Sequence, residues 1–552
     1  MKMKKIFLLI VLSTAITSCD LLDTKIDTLD TLSTLNSNYA NIKYQGMSGY
    51  VYIANGFWRI DNSFAAAMSD EAVQTVSPSN VQKFNEGSWN AYDNPDNSYT
   101  YLYQGVRNIN NFLDYSVNYK KQLAYQRDTL TDHQYQYKRD VADVTWLRAE
   151  SHVMKAYLYF ELTKRYGDVP LIKSNVPLGQ SMPPIARSPY DSIVKYMVSE
   201  IDYVKDSLQT SWKVYDQASD GRFTKGAALA LKARILLYAA SPLHNPTNDK
   251  QKWAKAAQAA WDVINMNVYS LSTDYRALFI GNQSVLDNEV IMAVRAGSIN
   301  DPEKANYPIT TPGGKSGVTP SENLVSAYED RGTPNPLNRY DKKDPRLGYT
   351  VVTNNSTWNG RTMQMWLGGK DDYTITNTSK TGYYLKKYLN DNLDLTQNQM
   401  VVHCWIFLRY AEVLLNYAEA MNEAYGPDFD NGTGLSARQA VNKVRKRIGV
   451  SMPDVVATNA DEMRDRIKHE RRIELAFEEH RYWDLIRWKD AGTVLNQVIK
   501  GVRATNNNDG TFTYTTFDVQ NRKFDATKMY FYPIPQTEVT KTNGIVTQNP
   551  NW

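Results

Sequence analysis

The sequence predicts a mainly α-helical protein, built as a solenoid of tetratricopeptide-like helix pairs with an irregular, loop-rich portion between two helical blocks. Three observations carry that reading. Apolar residues recur at helical spacing in long stripes, alanine-rich hairpins appear on both sides of strong breakers, and periodicity fades from about residue 267 to 402. The helical repeats accordingly fall at about 99–266 and 407–495.

At the amino terminus, Lys2, Lys4 and Lys5 precede "IFLLIVLSTAI", an apolar run too short for a permanent span and shaped like a secretory core. Ile16-Thr17-Ser18-Cys19 resembles a lipobox, in which the cysteine is acylated and becomes the first mature residue. Residues 1–18 are thus read as a lipoprotein signal peptide, and 19–38 as lipidated Cys19 with a flexible Thr/Ser/Asp-rich stalk. Residues 39–552 are expected to form a single domain.

The first helix is expected from Tyr99, with Leu102, Val106, Ile109 and Leu113 on one face. A longer one carries two stripes, Trp146-Val153-Tyr157-Phe160 and Leu147-Met154-Leu158-Leu162, which implies burial on two sides until Gly167 and Pro170 stop it. In "RSPYDS", Ser188 is the expected cap and Pro189 the first helical residue, followed by Ile193, Met197, Ile201, Val204 and Leu208. Ala230, Ala233, Leu237 and Ala240 precede the breaker "SPLHNPTND"; Trp253, Ala256, Ala260 and Val263 follow it. The device returns with Ala411, Leu414, Ala418 and Met421, then Ala437, Val441, Val444 and Ile448. Small residues there let paired helices approach closely.

Composition excludes several function classes. With 63 basic and 59 acidic residues the net charge is +4, so no strong field recruits nucleic acid. Two cysteines exclude a disulfide scaffold, and Cys404, inside "VVHCWIFLRYAEVLL", reads as a buried inert thiol. The chain is instead rich in flat amphipathic rings, with 38 Tyr and 12 Trp.

Catalytic signals are weak. Glu470, Glu474, Glu478, Glu479 and Asp484 alternate with Arg471, Arg472, Arg481 and Arg487, the pattern of a salt-bridged helix face rather than of a hydrolase carboxylate pair. "HERRI" lacks the second histidine of a zinc helix, and "GGKS" lacks the earlier glycine of a phosphate loop. No EF-hand spacing of oxygen ligands occurs. The expectation is a non-enzyme with no cofactor and no metal.

Five segments, "LRAESHVMKAYLYFELTKRYGDVPLI", "GRFTKGAALALKARILLYAASP", "FLRYAEVLLNYAEAMNEA", "ERRIELAFEEHRYWDLIRW" and "YFYPIPQTEVTKTNGIVTQNPNW", together with "DPRL" at Asp344 to Leu347, resemble the SusD/RagB family of surface lipoproteins of Bacteroidetes, in the family's order. The resemblance implies four tetratricopeptide-like helix pairs that pack on a SusC-like TonB-dependent transporter, a lipid anchor on the outer face of the outer membrane, and loops that capture poly- or oligosaccharide without cleaving it. It also implies an alternative, an oligopeptide cargo as in RagB-like members; a glycoside hydrolase is the less favoured reading of the carboxylate cluster itself. The chain departs from the family in its sparse acid after the cysteine, only Asp20 and Asp23 in "CDLLD", and in His480 and Asn551 where glycine is common.

Glycan binding needs aromatic faces against sugar C–H faces, with polar groups for the hydroxyls. The resemblance places part of the ligand site at Asp70, Trp89, Tyr92 and Asn94; the middle loops add Tyr307, Trp358, Arg361 and Trp366. At least two of Trp89, Trp358 and Trp366 are expected to be platforms.

Overall fold

In the computed structural model, residues 38–552 are described apart from 177–179, 181–182, 213–220, 282–286, 334 and 336. The expected signal peptide, Cys19 and all of the stalk before Asn38 lie outside the described residues. The chain forms two compact units, one of the described residues up to Ser48 with Asn111–Arg148, the other of Gly49–Asn110 with Ala149–Trp552.

In the smaller unit, the Asn38 carboxamide accepts the Asn41 N–H at 2.8 Å and starts a helix over Tyr39–Met47. Ile42, Phe112, Tyr119, Leu123, Val144 and Leu147 form its core. Gly46 is required there, since a Cβ would lie 2.9 Å from the Phe112 ring.

The expected helices form at α1 (Tyr99–Tyr115), α2 (Tyr135–Tyr166), α3 (Tyr190–Val204), α4 (Lys225–Ala240), α5 (Lys250–Ile264), α6 (Tyr410–Tyr425), α7 (Ala437–Arg445), α8 (Ala460–Glu474) and α9 (His480–Trp488). The larger unit packs α3 on α4, α4 on α5, α5 on α6, and α6 on both α7 and α8, a run of tetratricopeptide-like pairs. Alanine makes this close packing possible: Ala227, Ala228, Ala233 and Ala240 of α4 and Ala256 and Ala260 of α5 are all buried.

Caps set the ends. Gly167, at φ +69°, follows the last residue of α2, as expected. The start of α3 differs from expectation: Pro189 stands outside it at φ −57°, ψ 140°, and Asp168 accepts the Tyr190 N–H at 2.8 Å. Ser188 is not the cap; it pairs with Val169 in a two-residue ladder.

The middle region holds more regular structure than its sequence predicts. Strand β1 (Ala72–Gln74) pairs antiparallel with β3 (Val318–Pro320), and β2 (Val290–Ile299) pairs antiparallel with β4 (Val401–Arg409), Val294 facing Trp405. Val290–Val294 of β2 and Cys404–Leu408 of β4 are short apolar runs, whose lack of period hides strand from helix. Beyond α9, β5 (Ile499–Asn506) and β6 (Phe512–Gln520) form a hairpin.

The acidic cluster near α8 is buried rather than spread on a solvent-facing helix. Its helix breaks after Glu474, with Phe477 and Glu479 both at φ +63°, before α9 resumes. Glu474 accepts from Arg409 at 2.7 Å, Arg447 at 2.6 Å and Arg346 at 2.8 Å. Glu289 accepts from Arg409 and Arg447 at 2.7 and 2.9 Å, and Glu478 from Arg409 and Lys387 at 2.6 and 2.7 Å. Arg346 of "DPRL" also grips Asp344 at 2.6 Å. All these side chains are buried, so each charge depends on its partners.

Candidate functional site

The structure divides the eight candidate glycan contacts into three groups. Trp89 is 2 % exposed, its ring packed 4.9 Å from Phe84, 4.9 Å from Tyr532 and 4.6 Å from Trp552. Trp358 is 0 % exposed and meets the equally buried Tyr307 edge-on at 5.0 Å, while the Tyr307 hydroxyl donates to the Asn390 carbonyl. These three rings belong to the core. This corrects the expectation of platforms at Trp89 and Trp358, because a ring enclosed by other rings offers a sugar no open face.

Asp70 is buried as well. It receives Arg481 at 2.8 and 3.0 Å and Arg472 at 2.6 Å. Burial alone would raise its pKa, but the two guanidiniums outweigh that and hold the carboxyl well below the usual carboxylate range. It is a tie between β1 and the α8–α9 segment rather than a free acceptor. The neighbouring Glu71 is pushed up to about 8, first by burial and then by the Asp70 charge.

A second group is spent on its own loops. The Asn94 side chain accepts the Asp96 N–H at 3.0 Å. Arg361 grips Asp371 through two N–H groups, at 2.7 and 2.5 Å.

Tyr92 and Trp366 remain. Tyr92 is 84 % exposed, at the tip of a turn where the Asn90 side chain accepts its N–H at 2.9 Å. Trp366 is half-buried and belongs to a larger assembly. Its backbone bridges to Ala504 of β5, and its ring lies 5.0 Å from Phe512 of β6. Phe512 stands 6.4 Å from Tyr514, and Tyr514 meets Tyr340 edge-on at 5.5 Å. All four rings are half-buried, so apolar surface stays available to a ligand.

Alternation along β6 produces this strip. Phe512 and Tyr514, two apart, project to one side of the hairpin and Thr513 to the other. Polar groups border the rings. The Arg339 guanidinium lies 5.4 Å from the centroids of both Tyr340 and Tyr514 and is held by Glu322 at 2.6 Å. Asn354 donates to the Tyr514 hydroxyl at 3.3 Å, and the Tyr340 and Tyr383 hydroxyls are 3.3 Å apart. Flat partly open rings edged by hydroxyl and guanidinium groups suit a sugar chain.

Phe512, Tyr514, Tyr340 and Arg339 are absent from the sequence-based candidates. The signal for two of them, Phe512 and Tyr514, was present: "NNDGTFTY" joins a turn to polar–aromatic alternation.

Two carboxylates of the α8–α9 cluster lack the raised pKa of a general acid. Glu474 and Asp484 sit among arginines that hold both below the ordinary range despite burial, the opposite of a general acid. Among the described residues no group of three or more His, Cys, Asp or Glu is placed to hold a metal, and no helix is long and apolar enough to cross a membrane.

Comparison with known proteins follows the same lines. A model described as the SusD family matches residues 288–552, and a model described as starch-binding associating with outer membrane matches 22–237. A SusD-like protein of Formosa agariphila is 25% identical over 438 residues, 75% of each chain. One of Bacteroides ovatus is 26% identical over 349 residues, 62% of this chain and 58% of that one. Among solved structures, a SusD-like protein from Bacteroides fragilis superposes with a TM-score of 0.76 at 24% identity, covering 94% of this chain and 98% of its own. A SusD-like carbohydrate-binding protein from the same species gives 0.75 at 24% identity, covering 93% and 100%.

Proposed function

The chain belongs to the SusD/RagB family of carbohydrate-binding proteins associated with the outer membrane, and from that premise we propose that it captures poly- or oligosaccharide on the Trp366–Phe512–Tyr514–Tyr340 strip and hands it, uncleaved, to a SusC-like TonB-dependent transporter. The observation that carries this reading is the strip: four half-buried rings on one hairpin and its flanking loops, bordered by polar groups that hydrogen-bond hydroxyls. A binder needs nothing more, and arginine-neutralised carboxylates supply no cleavage.

Calorimetric titration of the chain starting at Asp20 against plant, host and microbial polysaccharides, with a parallel assay for new reducing ends, tests the reading. Binding without new ends is expected. Trp366→Ala should weaken it by about 1–2 kcal/mol, as for a central aromatic contact. Cleavage, or affinity unchanged when Trp366 and Phe512 are both alanine, would overturn the assignment; an oligopeptide titrating in place of glycans would replace the cargo.

Cell-surface delivery follows from acylation of Cys19, whose chains add about 0.8 kcal/mol of membrane affinity per buried CH₂. Labelled palmitate should enter the wild-type protein and not Cys19→Ala, and only the wild type should co-purify with the outer membrane. Equal labelling of the two would remove the anchor.

A further inference from the structure

We propose that Tyr125, Leu130 and Tyr135, exposed together at the tip of the smaller unit, seat the protein on a lipid bilayer with anionic headgroups. The inference rests on the acylation of Cys19 proposed above and adds a second, non-covalent contact with the same membrane.

The three side chains stand at the turn of a helical hairpin. The chain runs from α1 into a short helix over Tyr119–Ala124 and returns as α2. Pairing between the two arms is antiparallel: the Leu113 carbonyl accepts from Arg148 at 2.7 Å, the Tyr119 and Thr145 hydroxyls are 2.6 Å apart, and Arg127 donates to Asp140 at 2.6 Å. Residues 128–134 therefore close the hairpin, and the Asp128 side chain fixes the turn by accepting the Leu130 N–H at 2.9 Å. Tyr125, Leu130 and Tyr135 are 77, 69 and 76 % exposed there, whereas Tyr119 and Leu123 of the same hairpin enter the core of the unit. A group of large apolar side chains left outside an available core marks a contact surface.

The point where the anchored end enters the unit identifies what covers it. Tyr39, the first residue of the helix capped by Asn38, donates its hydroxyl to Asp143 at 2.6 Å, while Gly46 near the other end lies against Phe112 and Leu147. The helix thus starts on the side of the tip, and Asp143 follows Tyr135 by eight positions on α2, about 12 Å along the axis. Nineteen positions separate Cys19 from Asn38, a span of at most about 65 Å. A bilayer holding the acyl chains is therefore within reach of the tip, and the tether raises the local concentration enough for a few side chains to dock. The chemistry agrees. Tyrosine settles at a membrane–water interface with its ring among the chains and its hydroxyl among the headgroups. Lys120, Lys121, Lys138 and Arg139 are exposed on the two helices behind the tip, against Asp128 and Asp132 on the turn, and this excess of cations favours anionic lipid.

The test places the acylated mature chain on vesicles of phosphatidylcholine and phosphatidylglycerol, with a fluorophore on Thr131→Cys, an exposed position of the turn; Cys404 is buried and does not compete for the label. Lipids bearing a nitroxide at the headgroup should quench the fluorophore. Combining Tyr125→Ser, Leu130→Ser and Tyr135→Ser should remove most of the quenching without moving the thermal midpoint or releasing the protein, and added salt or pure phosphatidylcholine should reduce it. Retained protein whose label is unquenched, or quenched equally in the triple variant, overturns the inference while the anchor stands. Protein that washes off the vesicles overturns the anchor and the inference with it. Unchanged quenching in the triple variant with loss of a co-purifying barrel protein would assign the tip to that protein instead.

Discussion

Glu474→Ala is expected to cost about 3–5 kcal/mol of stability and to prevent accumulation of folded protein at growth temperature. The side chain is buried and accepts hydrogen bonds from Arg346, Arg409 and Arg447. Removing it takes one carboxylate from each of three guanidiniums in a dry interior and leaves Glu289, Glu478 and Asp344 to balance them, and breaking one partner of a buried charge cluster costs about that much. Denaturant midpoints of the purified variant check the value, and an unchanged midpoint would show that the cluster contributes nothing.

The same chemistry gives an acid limit. Burial would raise the pKa of Asp484, but the charges of Arg471 and Arg487 prevail and bring it down to about 2 from 3.8. A carboxylate depressed on folding stabilises the native state above its unfolded pKa, and that contribution disappears as pH falls through the folded value. Glu474 shifts in the same direction. Native protein should therefore lose stability between about pH 4 and about pH 2, and Asp484→Asn should flatten that part of the curve.

Trp89→Ala is expected to lose about 3–5 kcal/mol, the usual cost of deleting a fully packed aromatic side chain. The cavity would open between Phe84, Tyr532 and Trp552. The fraction of Trp89→Ala that remains folded should bind polysaccharide with wild-type affinity, because the ring faces the core. A weakened Kd at full folding would return Trp89 to the ligand site.

These outcomes mark which features can be read from the chain alone. The helices can, since a 3.6-residue apolar spacing is a local property: the stripes of "KGAALALKARILLYAA" and "KQKWAKAAQAAWDVI" are α4 and α5 themselves. The division of tryptophans into core and surface cannot. Trp89 is buried by Tyr532 and Trp552, from the far end of the chain, and no short window contains that fact. Loop position is a poor guide to exposure when distant segments close over the loop. The arginine–glutamate alternation around Glu474 is visible as charge pairing, but its burial is not, because Arg346 and Arg409 arrive from elsewhere. The aromatic strip was legible in part, as a polar–aromatic alternation after a turn; its contact with Trp366 was not.

The buried charge cluster also sets an order of assembly during synthesis. Glu289 leaves the ribosome long before Arg409 and Arg447, its partners 120 and 158 positions later, and Arg346 precedes Glu474 by 128. Until the α8 segment emerges, the nascent chain carries charges that cannot be enclosed without their counter-ions, so this part of the molecule must stay open to water while the early hairpins already pair. Closure is then a late event requiring nearly the whole polypeptide. Truncation before α8 should leave a collapsed, chaperone-dependent chain rather than a shorter version of the fold.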